Sequence, residues 1–308
     1  MNAFISALIP VMAIVALGRF LGWRTVLPDD GWRAIERLAY IVLFPALIIR
    51  ALANAPFETA PWKLALILIV AQCLLGAFGL LARAWPKITG PAVGSIIQSN
   101  VRWNTFVGLS IGGSIFGTEG LALVAIAAAA MIPTANILSV AALTSHAERT
   151  DLPKRNPAVE LARNPLIIAC VIGIALAATG VELPALVDET IDLLGAGTIA
   201  LGLLAAGAGM DIAALGRAGT RTLVWSLVRL LGLPALTIAG ALMLGLTGTP
   251  FAIAVICASV PTATSSYILA RQLGGDAPLA ANLIAMQTVL SIVTMPAIWF
   301  ACLAAGLF

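Results

Sequence analysis

Windows of about 20 apolar residues, the length a helix needs to cross a bilayer core about 30 Å thick, recur along the whole of this chain. Ten can be placed, at approximately 3–22, 36–55, 62–83, 92–114, 120–144, 163–180, 189–210, 221–246, 250–270 and 279–306. A chain folding in water has no use for so many, and the composition agrees: 61% of residues are hydrophobic and 10% charged, against roughly 45–50% and about 25% in soluble domains. The expected fold class is an all-α polytopic membrane protein, with residues 1–308 as a single transmembrane domain because no polar block or linker divides them. No Lys or Arg precedes the first window, and it is longer than a signal-peptide core, so it reads as a retained helix.

Basic residues give the sidedness. With the N-terminus outside, the inner loops and helix ends collect Arg19, Arg24, Arg33, Arg37, Arg83, Lys87, Arg149, Lys154, Arg155, Arg163, Arg217, Arg221 and Arg271, leaving only Arg50 and Lys63 near the outer face. That excess marks the cytoplasmic side, so both termini are expected outside. The longest connection, residues 146–160, is then cytoplasmic and separates a first group of five windows (1–145) from a second (161–308). Five is odd, so the second group enters the membrane from the opposite side, as in an inverted repeat. The runs LIPVMAIVALG from Leu8 and RNPLIIACVIG from Arg163 echo each other across the two groups.

Several function classes drop out. The formal charge is only +3 and the bases do not interleave with aromatics, so nucleic acid is not an expected partner. Cys73, Cys170, Cys257 and Cys302 lie in apolar stretches without CxxC or Cys/His spacing; they read as packing residues, and neither metal nor cofactor is expected. No Walker motif supports ATP-driven transport. An intramembrane enzyme is a weak alternative: His146 is the sole histidine, and no carboxylate pair lies at membrane depth. A membrane sensor or receptor is the other alternative, and would call for a signalling domain or docking tail.

Polar residues interrupting an apolar span are where a membrane protein can hold a solute. Two runs stand out, Gln98 to Thr105 in the fourth span and Ser259 to Ser266 in the ninth; each is fourth in its group of five. Pro261 donates no backbone hydrogen bond, so a break there frees carbonyls of the preceding turn. Arg102 is the sharpest signal, because an arginine at mid-span costs roughly 2.5–3.5 kcal/mol on insertion scales and no Asp or Glu occupies the middle of any span. Its planar fork suits a carboxylate. The candidate substrate-binding set is Asn100, Arg102, Asn104, Thr105, Pro261, Thr262, Thr264 and Ser265, supported by Ser99, Asn136 and Gln287. The bland alternative is that hydroxyls pack helices and Arg102 ties down a broken one. Arg229 is expected to snorkel to the interface, and spans three and eight are expected to hold no polar cluster. The glycines at 195, 197, 202, 207 and 209 are expected to pack helices closely.

The runs NPLIIACVIG from Asn164, IDLLGAGTIALGLLAAGAGMDI from Ile191, PTATSSYILARQLGGDAPLAA from Pro261 and IPTANILSV from Ile132 together resemble the auxin efflux carrier family, including its bacterial members described as malonate or related carriers. The resemblance spans nearly the whole chain. It implies ten transmembrane helices in two inverted five-helix repeats, a scaffold domain and a transport domain, and broken fourth and ninth helices that cross at the substrate site, in a fold similar to sodium/proton antiporters and bile acid symporters. The ninth-helix crossing matches Pro261 and the fourth matches the stretch from Asn100 to Gly108. It also implies a secondary carrier of a small organic anion in the bacterial inner membrane. A coupling proton or sodium ion and a homodimer remain open as partners beside the lipid bilayer. Two departures stand out: the fourth span has no proline, which leaves polar residues and Gly108 to distort it, and Ala200 stands where many members have proline.

Overall fold

The structure, a computed structural model, describes residues 3–54, 62–148, 164–181, 183–216 and 218–307. The connection expected at 146–160 falls outside them beyond residue 148, as do Glu182 and Arg217. Among the described residues the chain is helical, with no strand: α1 Ala3–Trp23, α2 Asp29–Leu38, α3 Phe44–Ala53, α4 Trp62–Phe78, α5 Gly90–Val101, α6 Thr105–His146, α7 Pro165–Thr179, α8 Ala185–Ala196, α9 Thr198–Ala208, α10 Ala213–Gly216, α11 Thr220–Met243, α12 Gly248–Ser259, α13 Ser265–Gln272 and α14 Ala277–Ala304. A π-helical turn, Ala39–Leu43, links α2 to α3. It ends just before Pro45, whose missing N–H and bulky ring disturb the carbonyl four residues back; the wider turn absorbs this.

Six helical stretches among the described residues are long and apolar enough to cross a membrane: Ala3–Trp23, Trp62–Ala84, Gly90–His146, Ala185–Ala208, Thr220–Met243 and Ala277–Ala304. Six is fewer than ten for an identifiable reason. The windows at 92–114 and 120–144 share the stretch Gly90–His146, and those at 36–55, 163–180 and 250–270 hold helices that are short or interrupted. Gly90–His146 is itself discontinuous. Residues 102–104 are not helical, and at Gly117 the backbone turns to φ 59°, ψ −138°, a conformation that glycine adopts without a Cβ penalty.

The chain forms two compact units, each drawing on both halves of the sequence: 1–61, 106–129 and 156–209 in the first, 62–105, 130–155 and 210–308 in the second. In the first, α1 packs on α9 and α3 on α7 and α8. Glycines bring α1 and α9 to backbone contact. A methyl group at Gly18 would overlap the Leu204 carbonyl, one at Gly207 the Val15 carbonyl, and one at Gly202 the Phe106 ring. That is the close packing expected of Gly202 and Gly207; at Gly197, by contrast, the helix is interrupted between α8 and α9. Arg50 bonds Asp188 and Asp192, one turn apart on α8.

In the second unit α11 packs against α4, α12 and α14. The short helices α5 and α12 are buried along almost their whole length; α12 is accordingly apolar on nearly every face rather than on one stripe, while α5 also buries Ser95, Gln98, Ser99 and Asn100. Of the cysteines expected to pack, Cys170, Cys257 and Cys302 are buried, but Cys73 is exposed; on an apolar helix that face suits lipid.

Candidate functional site

Both polar runs in the second unit end a helix in mid-span. α5 stops at Val101, Arg102 follows with extended backbone (φ −78°, ψ 155°), and the chain turns helical again at Thr105. α12 stops at Ser259, Val260 is likewise extended (φ −65°, ψ 150°), and α13 begins at Ser265. The two breaks meet: the Asn104 N–H donates to the Pro261 carbonyl at 2.8 Å. Gly108, expected to help distort the fourth span, lies buried inside α6 instead.

Helix ends left inside an apolar medium need partners for their carbonyls, and two residues outside the runs supply them. Gln72 on α4 donates through Nε2 to the Val101 carbonyl at 2.7 Å and to that of Met131 at 3.3 Å. Arg229 on α11 donates through Nη1 to the Ala258 carbonyl at 2.7 Å, and through Nη2 and Nε to the Arg102 carbonyl at 3.3 and 3.4 Å. Arg229 is 0% exposed. The expectation that it snorkels is therefore corrected; spans three and eight, expected to hold no polar cluster, each supply one polar side chain to the breaks. The physical reason is that the C-terminal ends of α5 and α12 carry partial negative charge, which offsets a guanidinium's desolvation at this depth, about two turns inside the helix.

The expected site residues divide into groups. Arg102, half-buried, donates to Asn136 Oδ1 at 3.1 Å and to Ser265 Oγ at 3.0 Å, so three of the named residues meet directly. Asn104 and Pro261 meet through their backbones. Thr262, Gln287 and Ser99 form a buried chain: Gln287 Oε1 accepts from the Thr262 N–H at 3.0 Å and its Nε2 donates to Ser99 Oγ at 3.3 Å. Thr262 Oγ1 lies 3.3 Å from Ser266 Oγ, and Gln98 Nε2 donates to the Ser266 carbonyl at 2.9 Å. Asn100 is fully buried, its Nδ2 pointed at the Leu75 carbonyl of α4, 3.4 Å away. Thr105 and Thr264 are half-buried at the ends of the two breaks.

Gln72 is absent from the site expected from the sequence, and Arg229 is expected at the interface instead. Their signal was a lone amide and a lone guanidinium inside apolar windows. Around the breaks, Gln72 Oε1, Gln98 Oε1, Asn100 Oδ1 and Trp103 Nε1 are buried without a hydrogen-bond partner. Native interiors rarely leave such atoms unsatisfied except where a site has its own use for polarity.

Comparison with known proteins finds membrane transporters. A transporter of Methanothermobacter thermautotrophicus, described as uncharacterized, is 26% identical over 94% of this chain and 96% of its own. The transporter YfdV of Escherichia coli K12, also described as uncharacterized, is 24% identical over 66% of this chain and 68% of its own. The family model for membrane transport proteins matches residues 3–299. With a match over nearly its whole length, the chain belongs to the membrane transport protein family, the auxin-efflux-carrier-like group of membrane transporters that its motifs resemble.

Proposed function

We propose that this transporter is a secondary carrier of a small organic anion, working by alternating access, and that the anion binds at the two breaks in the second unit. The observation that carries the reading is Arg102, a half-buried guanidinium held by the neutral oxygens of Asn136 and Ser265 beside the ends of two interrupted helices. Asn136 and Ser265 orient the guanidinium, whose planar fork suits a carboxylate through two parallel bonds. Arg229 adds a second positive charge behind the same backbone. A mono- or dicarboxylate such as malonate, or an auxin-like acid, meets these terms. Asn104, Thr105, Thr262 and Thr264 supply neutral groups to orient it.

On this reading the ten spans form two inverted five-helix repeats, 1–145 and 161–308, around a cytoplasmic connection at 146–160, with both termini outside a bacterial inner membrane. The first unit corresponds to a scaffold and the second to the transport domain. A coupling proton or sodium ion and a homodimer are compatible with it.

Malonate flux into liposomes tests the proposal. Losing a charge-assisted hydrogen bond to a buried partner costs about 1.5–3 kcal/mol, so Arg102→Gln should weaken apparent affinity roughly ten- to hundredfold while the protein still folds. Arg102→Lys should recover part of it, since a point charge cannot reproduce the fork. A well-folded Arg102→Gln carrier with unaltered affinity for every carboxylate tried would overturn the assignment.

A further inference from the structure

A separate cleft of about 450 Å³ opens in the second unit, with Trp85, Thr220, Arg221, Asp276 and Asn282 among its lining residues. None of these takes part in the breaks. The walls come from the ends of three membrane-crossing stretches: Trp85 follows Trp62–Ala84, Thr220 and Arg221 open α11, and Asp276 caps α14. The cleft therefore sits where apolar segments give way to the headgroup layer, the level at which tryptophan and arginine accumulate.

Its chemistry is two-signed. Arg221 Nε is buried without a hydrogen-bond partner, a donor whose desolvation is offset only when an acceptor arrives. Gly219 precedes α11 and has no side chain to cap it; the Thr222 and Leu223 N–H groups return to the Gly219 carbonyl at 3.0 and 3.3 Å, while the Thr220 and Arg221 N–H groups, on residues that line the cleft, come too early in the helix for an intrahelical acceptor. Asp276 spends Oδ1 on the Leu279 N–H at 2.9 Å, and a carboxylate has further lone pairs to offer. One cation and one anion in a single cleft at this level match a headgroup that carries a phosphate and an ammonium.

We propose that the cleft binds the headgroup of an ethanolamine phospholipid, with the phosphate on Arg221 and the first turn of α11 and the ammonium on Asp276. A soluble phosphate shares only the first half of that chemistry, and Asp276 then opposes it. The site also connects to the transport machinery. The Asp276 N–H donates to the Pro91 carbonyl at 3.1 Å and its own carbonyl accepts from Ser95 Oγ at 3.1 Å, and both partners lie on α5, the helix that ends at Arg102.

The full-length protein in detergent, supplied separately with phosphatidylethanolamine, phosphatidylglycerol and inorganic phosphate, tests this by native mass spectrometry and melting temperature. Phosphatidylethanolamine should bind and raise the melting temperature, phosphatidylglycerol should do so less, and inorganic phosphate at the same concentration should do neither. Arg221→Gln should weaken phosphatidylethanolamine binding about tenfold, as expected for one lost charge-assisted contact. Asp276→Asn keeps a good helix cap, so it should fold normally yet lose the preference for ethanolamine over glycerol. Unchanged lipid binding in both variants overturns the proposal, and so does inorganic phosphate matching the lipid, which would make the cleft a site for soluble phosphate. These measurements read binding alone, so they stand apart from the outcome for anion flux.

Discussion

Span nine loses its helix beside a proline, whereas span four loses it beside none. Proline alone does not explain the first case, because Pro10, Pro133, Pro234 and Pro296 all sit inside helices that run on through them. What the two breaks share is a set of partners on other helices. Gln72 takes the Val101 carbonyl, and Arg229 takes those of Arg102 and Ala258. In a continuous helix the Thr262 N–H would go to Ala258; here it goes to Gln287. A backbone in lipid stays unwound only where something else satisfies it. Proline lowers the cost of opening span nine, while span four is opened entirely by its neighbours.

Three substitutions press on that comparison. Arg229→Leu acts on both breaks and should have the largest effect, since it strands two buried carbonyls at about 1–3 kcal/mol each. Melting of the purified carrier should fall further than for any other variant here, and Arg229→Lys should recover part of the loss. A wild-type melting temperature for Arg229→Leu would mean that the breaks hold themselves open. Gln72→Leu touches only span four. The Val101 carbonyl loses its partner at a cost of about 1–3 kcal/mol, and hydrogen exchange should rise over 98–105 while 258–266 stays as protected as before. Pro261→Ala should be the mildest, at about 0.4–1 kcal/mol from the added freedom of the unfolded chain, because Arg229 and Gln287 still hold span nine apart. If Pro261→Ala costs more than Gln72→Leu, the proline rather than its neighbours sets that break.

The same contrast explains what could be read from the chain beforehand. Pro261 and Arg102 announce themselves, one by a missing donor and the other by a charge at membrane depth, and the structure puts both at the breaks. Gln72 and Arg229 were visible as letters, but their work depends on carbonyls that exist as acceptors only once spans four and nine have opened. Without that knowledge a guanidinium two turns from a helix end is more economically read as snorkelling. Gly108 failed in the opposite direction. It has the composition of a helix breaker, yet it sits buried in α6 because the chain had already turned at Arg102 to Asn104. The long apolar windows were legible as hydrophobicity, while their internal interruptions at 102–104, Gly117 and Gly197 were written partly in tertiary partners and partly in backbone angles.

In the first unit, α1 and α9 touch backbone to backbone at Gly18 and Gly207. Side chains adjust to a shifting neighbour by changing rotamer, but two main chains in contact have no such slack. Close packing of this kind leaves the pair little room to slide or tilt. The two helices therefore behave as one rod. Labels fixed to α1 and α9 supply a constant length inside the carrier, an internal ruler against which distance changes on loading with solute can be calibrated.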